Sequence, residues 1–258
     1  MPPIQKVEKD AKAELLEYLE THVPIEDAPI GIHFNIAFER YCEIRAINHS
    51  RLCRARDSLL HFKHIPERDD SPAFAFGSLA HTGRLEPEQL AQRYVVIPDF
   101  HLEEANVTAK GERSDSKMTG YYKGKLADFK KLHPDKQEVS VEWMQRMKDM
   151  IQNLDDHPVA GKLFAQGVSE VTIIWDDKKT GLRCKARLDW VSGPTPGMTV
   201  PEFIKAAKAI VDLKTTEDII GFNLSKFNYH TQAGMYLEGW KTLTKKITPF
   251  FFAAAEKS

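Results

Sequence analysis

The sequence predicts an α/β protein, of α+β arrangement, in which a central mixed β-sheet is flanked by helices. Three observations carry this expectation. Apolar residues sit at helical spacing through much of the chain before Ser169; from there they alternate with a period of two; and after Ser192 strand-like and helix-like segments follow each other. At 258 residues, 42% of them hydrophobic, the chain can bury a sizeable core. A helical extension over residues 1–38 and one main domain over 39–258 are expected.

Composition narrows the function classes. The formal charge is -1, from 36 Lys+Arg and 37 Asp+Glu, so any hold on nucleic acid must come from local patches. Cys42, Cys53 and Cys184 are widely spaced and form no C-x-x-C pair. That argues against a zinc ribbon or a disulfide scaffold and for reduced core thiols. The first ten residues are charged, and no apolar run reaches the length of a membrane span. A cytoplasmic protein with no membrane partner is therefore expected.

Residues 7–21 (VEKDAKAELLEYLET) place Ala11, Leu15, Leu16 and Leu19 at helical spacing, and Pro24 stops the pattern. Ser50 reads as the cap of a helix over about 50–64 that carries Leu52, Ala55, Leu59 and Leu60. Arg40, Arg45, Arg51, Arg54, Arg56, Lys63 and Arg68 make a modest basic cluster. A solvated helix face accounts for it at least as well as a phosphate-binding surface. After a polar turn at 66–72, AFAFGSLAHTGRLEP reads as an apolar helix in which Gly77 permits close packing and His81 lies one turn before Leu85. A lone His in such a helix is more often a satisfied core residue than a ligand. Tyr94 to Pro98 reads as a strand, 101–118 as a mobile loop, and about 119–132 and 140–153 as amphipathic helices.

The strongest local signal is a hairpin. Residues 170–175 and 182–190 flank a turn at 176–181, where Gly181 can take a left-handed conformation. In the second strand Arg183, Lys185, Arg187 and Asp189 share one face. If Asp176 pairs with Leu182, Glu170 falls opposite Leu188, about one residue from Asp189, and two carboxylates converge.

Beyond a Pro/Gly loop at 192–199 and a helical turn at 201–207, Ile210 to Thr216 reads as a buried strand. Asp212 and Lys214 project together from it, while Val211 and Leu213 point into a core. Such a pair is either a buried salt bridge or a metal ligand beside a lysine that handles a developing negative charge. A helix over 221–240 places Tyr229, Gln232, Ala233 and Tyr236 on one side, which a polar helix face with a half-buried Tyr also explains. Residues 247–254 close the sequence as a very apolar, and so central, strand.

The order Glu170, Asp189, Asp212-x-Lys214 and Gln232-x-x-x-Tyr236 resembles the PD-(D/E)XK nuclease superfamily in its RecB-like branch. His81 within FGSLAHTGRLEP, and the segment Tyr41 to Ser50, resemble the RecE (exonuclease VIII) type nuclease domain; the likeness spans roughly residues 40–254. It implies a restriction-endonuclease-like core in which His81, Asp189, Asp212 and the Leu213 carbonyl bind Mg2+ or Mn2+, with Lys214 as catalytic base or charge stabiliser. Glu170 is then either a fourth carboxylate of the site, meeting the metal through water, or an exposed strand-start acid, two equally good readings. Gln232 and Tyr236, with Tyr229 beside them, match the motif that meets DNA ends. Leu213 stands where many superfamily members carry Glu or Asp, and three cysteines are too few for the iron–sulfur subtype. The implied activity is a magnesium-dependent exonuclease acting 5′-to-3′ on double-stranded DNA ends for phage-type recombination. A single-strand annealing recombinase is the implied partner, and a cyclic homo-oligomer the implied assembly. The rival readings are a catalytically idle DNA-end or recombinase-binding module of the same fold, and a site-specific endonuclease.

Overall fold

The computed structural model describes residues 29–58, 60, 62, 71–225 and 228–257, so the helix expected at 7–21 and most of the turn at 66–72 lie outside it. In chain order the elements are β1 (Gly31–His33), α1 (Phe38–Glu43), α2 (His49–Asp57), α3 (Pro72–Leu85), α4 (Pro87–Arg93) and β2 (Tyr94–Ile97). There follow α5 (Gly120–Leu132), β3 (Gln137–Ser140), α6 (Val141–Asp156), α7 (Ala160–Phe164), β4 (Gly167–Asp176) and β5 (Arg183–Ser192). The last elements are α8 (Val200–Ala206), β6 (Ala209–Thr216), α9 (Tyr229–Thr244) and β7 (Phe250–Glu256).

The chain divides into two compact units. The first holds the described residues up to Phe62, then His157–Lys214 and Asp218–Ala254. Its sheet has the order β1-β4-β5-β6-β7, and the pairs β1/β4, β4/β5 and β5/β6 are antiparallel. The Ile210 N–H donates to the Pro249 carbonyl at 2.8 Å, and the Lys257 N–H to Thr216 at 2.9 Å. Residue numbers rise together across these bonds, so β7 runs parallel to β6 and the sheet is mixed, as the sequence predicts. β1 falls within the span read as a helical extension; three residues are too short to show a period.

The hairpin forms with one correction. Asp177 opens the turn by accepting bonds from the Thr180 N–H and hydroxyl at 2.8 and 2.6 Å, and Gly181 takes φ +69°. Asp176 pairs with Arg183 rather than Leu182, which shifts the whole register by one. Among the described residues β7 is an edge strand, not a central one. Its apolar character serves packing on one side: Phe250 and Phe252 meet at 5.0 Å and lie near Tyr236 and Tyr229, at 6.3 and 5.8 Å between ring centroids. Phe251, pointing the other way, is 41% exposed.

Two helix starts also differ from expectation. Asn48, not Ser50, caps α2 by accepting from the Arg51 N–H at 3.0 Å. α9 begins at Tyr229 rather than 221 because polar side chains capture the preceding backbone. Asp218 accepts from the Ile220 N–H and Asn223 from the Ser225 N–H, and Asn228 is left-handed at φ +56°. Cys42 is exposed and Cys53 and Cys184 are half-buried thiols, so none belongs to the deep core. That core gathers Val171, Ile173, Trp175, Leu188, Ile210, Phe203 and Trp240.

In the second unit Ser71 caps α3, with Pro72 in the first turn. β2 pairs in parallel with β3, a strand too short to separate by pattern from the helix after it, and α4 was likewise not foreseen. The segment 101–118, expected as a mobile loop, is organised about buried Asn106. Its amide donates to the His101 and Ser116 carbonyls at 2.9 and 3.2 Å.

Lys185, on the polar face of β5, is buried and closes the end of α1. Its ammonium donates to the carbonyls of Tyr41, Cys42 and Ile44 at 2.6, 3.3 and 2.8 Å. Burial lowers its pKa to about 8, so the folded chain releases this proton before the unfolded one does. The contribution of Lys185 to stability should therefore rise between about pH 8 and 10.5. Denaturant titrations of wild type and Lys185→Met over that range are expected to diverge in favour of wild type, by up to ~3 kcal/mol.

A second prediction concerns Gly239, where an added Cβ would lie 2.7 Å from ring atoms of buried Trp175. Gly239→Ala should lower the unfolding free energy by about 1–3 kcal/mol despite its better helix propensity, read from the denaturant midpoint.

Candidate functional site

The site begins where β5 and β6 part. Trp190, Val191 and Ser192 pair with Val211, Ile210 and Ala209, and the next step of the ladder would set Asp189 opposite Asp212. Instead the Asp189 Oδ2 accepts the Leu213 N–H at 2.8 Å. A side chain thus takes the place of a strand partner. Asp189 and Asp212 stand at the mouth of the parting strands.

Glu170 reaches the same place from β4. The ladder steps from Ser169↔Trp190 to Val171↔Leu188, so Glu170 stands opposite Asp189 and not, as the sequence suggested, Leu188. A carboxylate oxygen of each residue lies within 4.8 Å of the other. Glu170 is left-handed at φ +54°, a conformation that costs a non-glycine residue about 1–3 kcal/mol and concentrates at functional sites. Arg187 forms an ion pair with it.

Asp212 is 1% exposed and engaged at both oxygens. Its Oδ2 lies 2.5 Å from the Lys214 ammonium, and its Oδ1 accepts from Gln232 Nε2 at 2.9 Å. The same Gln232 nitrogen donates to the Tyr236 hydroxyl at 3.1 Å, as the four-residue spacing on α9 allows. The Lys214 ammonium also sits 4.7 Å from the centre of the Tyr229 ring. The side of α9 singled out in the sequence therefore faces the Asp-x-Lys strand.

Burial raises the pKa of Asp189, partly offset by Lys214, the Leu213 amide and Arg187. For Lys214 burial acts downward, but Asp212 and Asp189 outweigh it and hold the ammonium above its ordinary range. Burial raises the Tyr236 phenol well above its usual value. Lys214 thus stays charged, with two carboxylates in its field. Glu170, Asp189 and Asp212 set three acidic side chains against the cations Lys214 and Arg187. Hard oxygen donors with an excess of negative charge fit Mg2+ or Mn2+.

His81 lies in the second unit, half-buried on α3. One turn before it, a Cβ on Gly77 would lie 3.3 Å from the Thr215 hydroxyl of the same unit, so the close packing read from the sequence is present. Two residues near the first unit's site were missed. Arg187 shares a face with Asp189 at two-residue spacing, and the corrected register places it diagonally from Glu170. His49 bonds to the Thr231 hydroxyl at 2.8 Å; burial, then the Lys214 charge, lower its pKa. No periodic signal marks His49, because its partner is 182 residues away. Of the basic cluster, Arg40 pairs with Glu43 and Arg56 donates to Asn228, while Lys63 and Arg68 lie outside the described residues.

A search among curated proteins finds no match. Over residues 49–258 the chain matches the model of a family described as a PDDEXK-like domain of unknown function (DUF3799). Since that match spans most of the chain, including both the hairpin and the Asp-x-Lys strand, the protein belongs to this family of PDDEXK-like domains.

Proposed function

We propose that this protein is a divalent-metal-dependent exodeoxyribonuclease that hydrolyses phosphodiester bonds at double-stranded DNA ends. The observation that carries the reading is that Asp212 and Asp189 flank Lys214 where β5 and β6 part, with Glu170 beside Asp189. Asp189 and Asp212 would hold Mg2+ or Mn2+, with Glu170 beside them and, by likeness to RecE-type domains, His81 and the Leu213 carbonyl. The bound metal would supply Lewis-acid polarisation of the phosphate and a lowered pKa for the attacking water.

The chain's own groups have separate tasks. Lys214, kept charged by its two acidic neighbours, stabilises negative charge developing on the phosphate oxygens. Gln232 fixes the Asp212 carboxylate and ties it to Tyr236. The Leu213 amide fixes Asp189, so both acids are held before substrate arrives. By likeness to RecE-type domains, Tyr229, Gln232 and Tyr236 would meet the DNA end. Digestion would run 5′-to-3′ in phage-type recombination, in the cytoplasm, with a single-strand annealing recombinase as partner.

The decisive experiment sets linear against closed circular duplex DNA with magnesium, read on a gel. Loss of the linear form alone is expected, with no digestion in EDTA. Cutting of the circle would favour an endonuclease, and binding of ends without digestion an idle module. Asp212→Asn and Lys214→Ala should each lower the rate on the order of a hundredfold or more while the far-ultraviolet circular dichroism is kept. A Lys214→Ala variant that is destabilised but keeps wild-type specific activity in its folded fraction would mean that the Asp212–Lys214 pair is only a buried salt bridge.

The proposed assembly is a ring. A chain of charge -1 has little long-range hold on a phosphate backbone, whereas several copies could converge their basic residues on one channel. Light scattering is expected to give a multiple of the 29.4 kDa chain mass, and a 5′ label to be lost before a 3′ label. A monomer that releases the 3′ label first would rule out both halves of this proposal.

A further inference from the structure

β5 carries a charged residue that the proposed chemistry leaves without a task. Arg187 is 10% exposed at its side chain, and it is held at three points. Its Nε pairs with Glu170 Oε2, its Nη1 donates to the Ile36 carbonyl at 2.6 Å, and its guanidinium lies 5.9 Å from the centre of the Phe38 ring. Glu170 is only 17% exposed, and one of its carboxylate oxygens lies within 4.8 Å of one of Asp189. A guanidinium anchored at Ile36 with one nitrogen and pairing with Glu170 through another fixes the position of the carboxylate oxygen it grips, which a lone ammonium on a flexible stem cannot do.

We propose that Arg187 is a positioning residue for the metal site: its grip on Glu170 holds that carboxylate beside Asp189, where a divalent cation would bind. This rests on reading Glu170, Asp189 and Asp212 as a metal centre. Two physical effects of Arg187 oppose each other, which makes the proposal decidable. By Coulomb's law alone a cation beside the site weakens metal binding, so its removal would tighten that binding. As the holder of a ligand it strengthens metal binding, and losing such a partner typically weakens affinity about 10–100-fold. With Arg187 immobilised, the holding effect dominates.

The test is calorimetric titration of Mn2+ into the full chain, without DNA, for wild type, Arg187→Gln, Arg187→Lys, Glu170→Gln and the double variant Arg187→Gln/Glu170→Gln. Arg187→Gln should weaken Mn2+ binding by about 10–100-fold. Arg187→Lys should not restore it, because the charge returns without the second nitrogen that anchors the side chain at the Ile36 carbonyl. The double variant should bind no more weakly than Glu170→Gln alone, since Arg187 acts through Glu170. Unchanged or tighter binding by Arg187→Gln, full recovery by Arg187→Lys, or additive losses in the double variant would overturn the proposal. Thermal melting establishes that each variant is folded. If Arg187→Gln does not fold, Arg187→Lys decides the matter, since wild-type affinity there overturns it. A wild-type chain that binds no Mn2+ overturns the metal reading itself, an outcome distinct from wild-type binding with an unaffected Arg187→Gln.

Discussion

A single hydrogen bond, from the Leu213 N–H to the Asp189 carboxylate, governs the geometry of the site. It is made where the β5–β6 ladder would otherwise continue, and it satisfies a backbone donor on a strand whose residues from Ala209 to Leu213 are all buried. The substitution of side chain for strand leaves the two strands parted. It also leaves Asp212 buried and Asp189 half-buried at the parting, and that is the condition the surrounding residues answer.

Buried carboxylates are expensive unless cations or donors meet them. Lys214 answers Asp212 and lies in the field of Asp189, while Arg187 answers Glu170. Gln232 supplies a neutral donor to Asp212, from a helix whose first turn is tied to α2 by His49–Thr231 and Arg56–Asn228. Polar links of this kind set the placement of α9 against β6. Its apolar packing, with Gly239 against Trp175 and Trp240 in the core, sets the depth.

Much of this was legible in the residues. The Asp-x-Lys spacing on an apolar strand put both charges on one face, and their 2.5 Å contact follows from that alternation. Gln232 and Tyr236 met as their spacing required. What escaped depended on partners distant in sequence or on single dihedral angles. The register of Glu170 turned on which residue closes the Asp177 turn, a choice between neighbours that alternation cannot make. The edge position of β7 was hidden because Phe and Ala residues packed against a helix look the same as residues packed between two strands. The start of α9 was set by Asp218 and Asn223 capturing nearby amides, in competition with helix propensity.

Local covalent periodicity therefore decided the strands, the hairpin, and which acids and bases share a face, since side-chain direction along a strand depends only on parity. It also carried the ordered set of residues that marks a PDDEXK-like domain. Tertiary structure decided the rest: that β5 and β6 separate at Asp189, that Glu170 adopts a left-handed conformation opposite it, and that Arg187 and Lys185 turn inward to different tasks from adjacent positions on one face. These outcomes follow from the cost of burying charge, which is fixed by neighbours from distant parts of the chain and has no signature in local spacing.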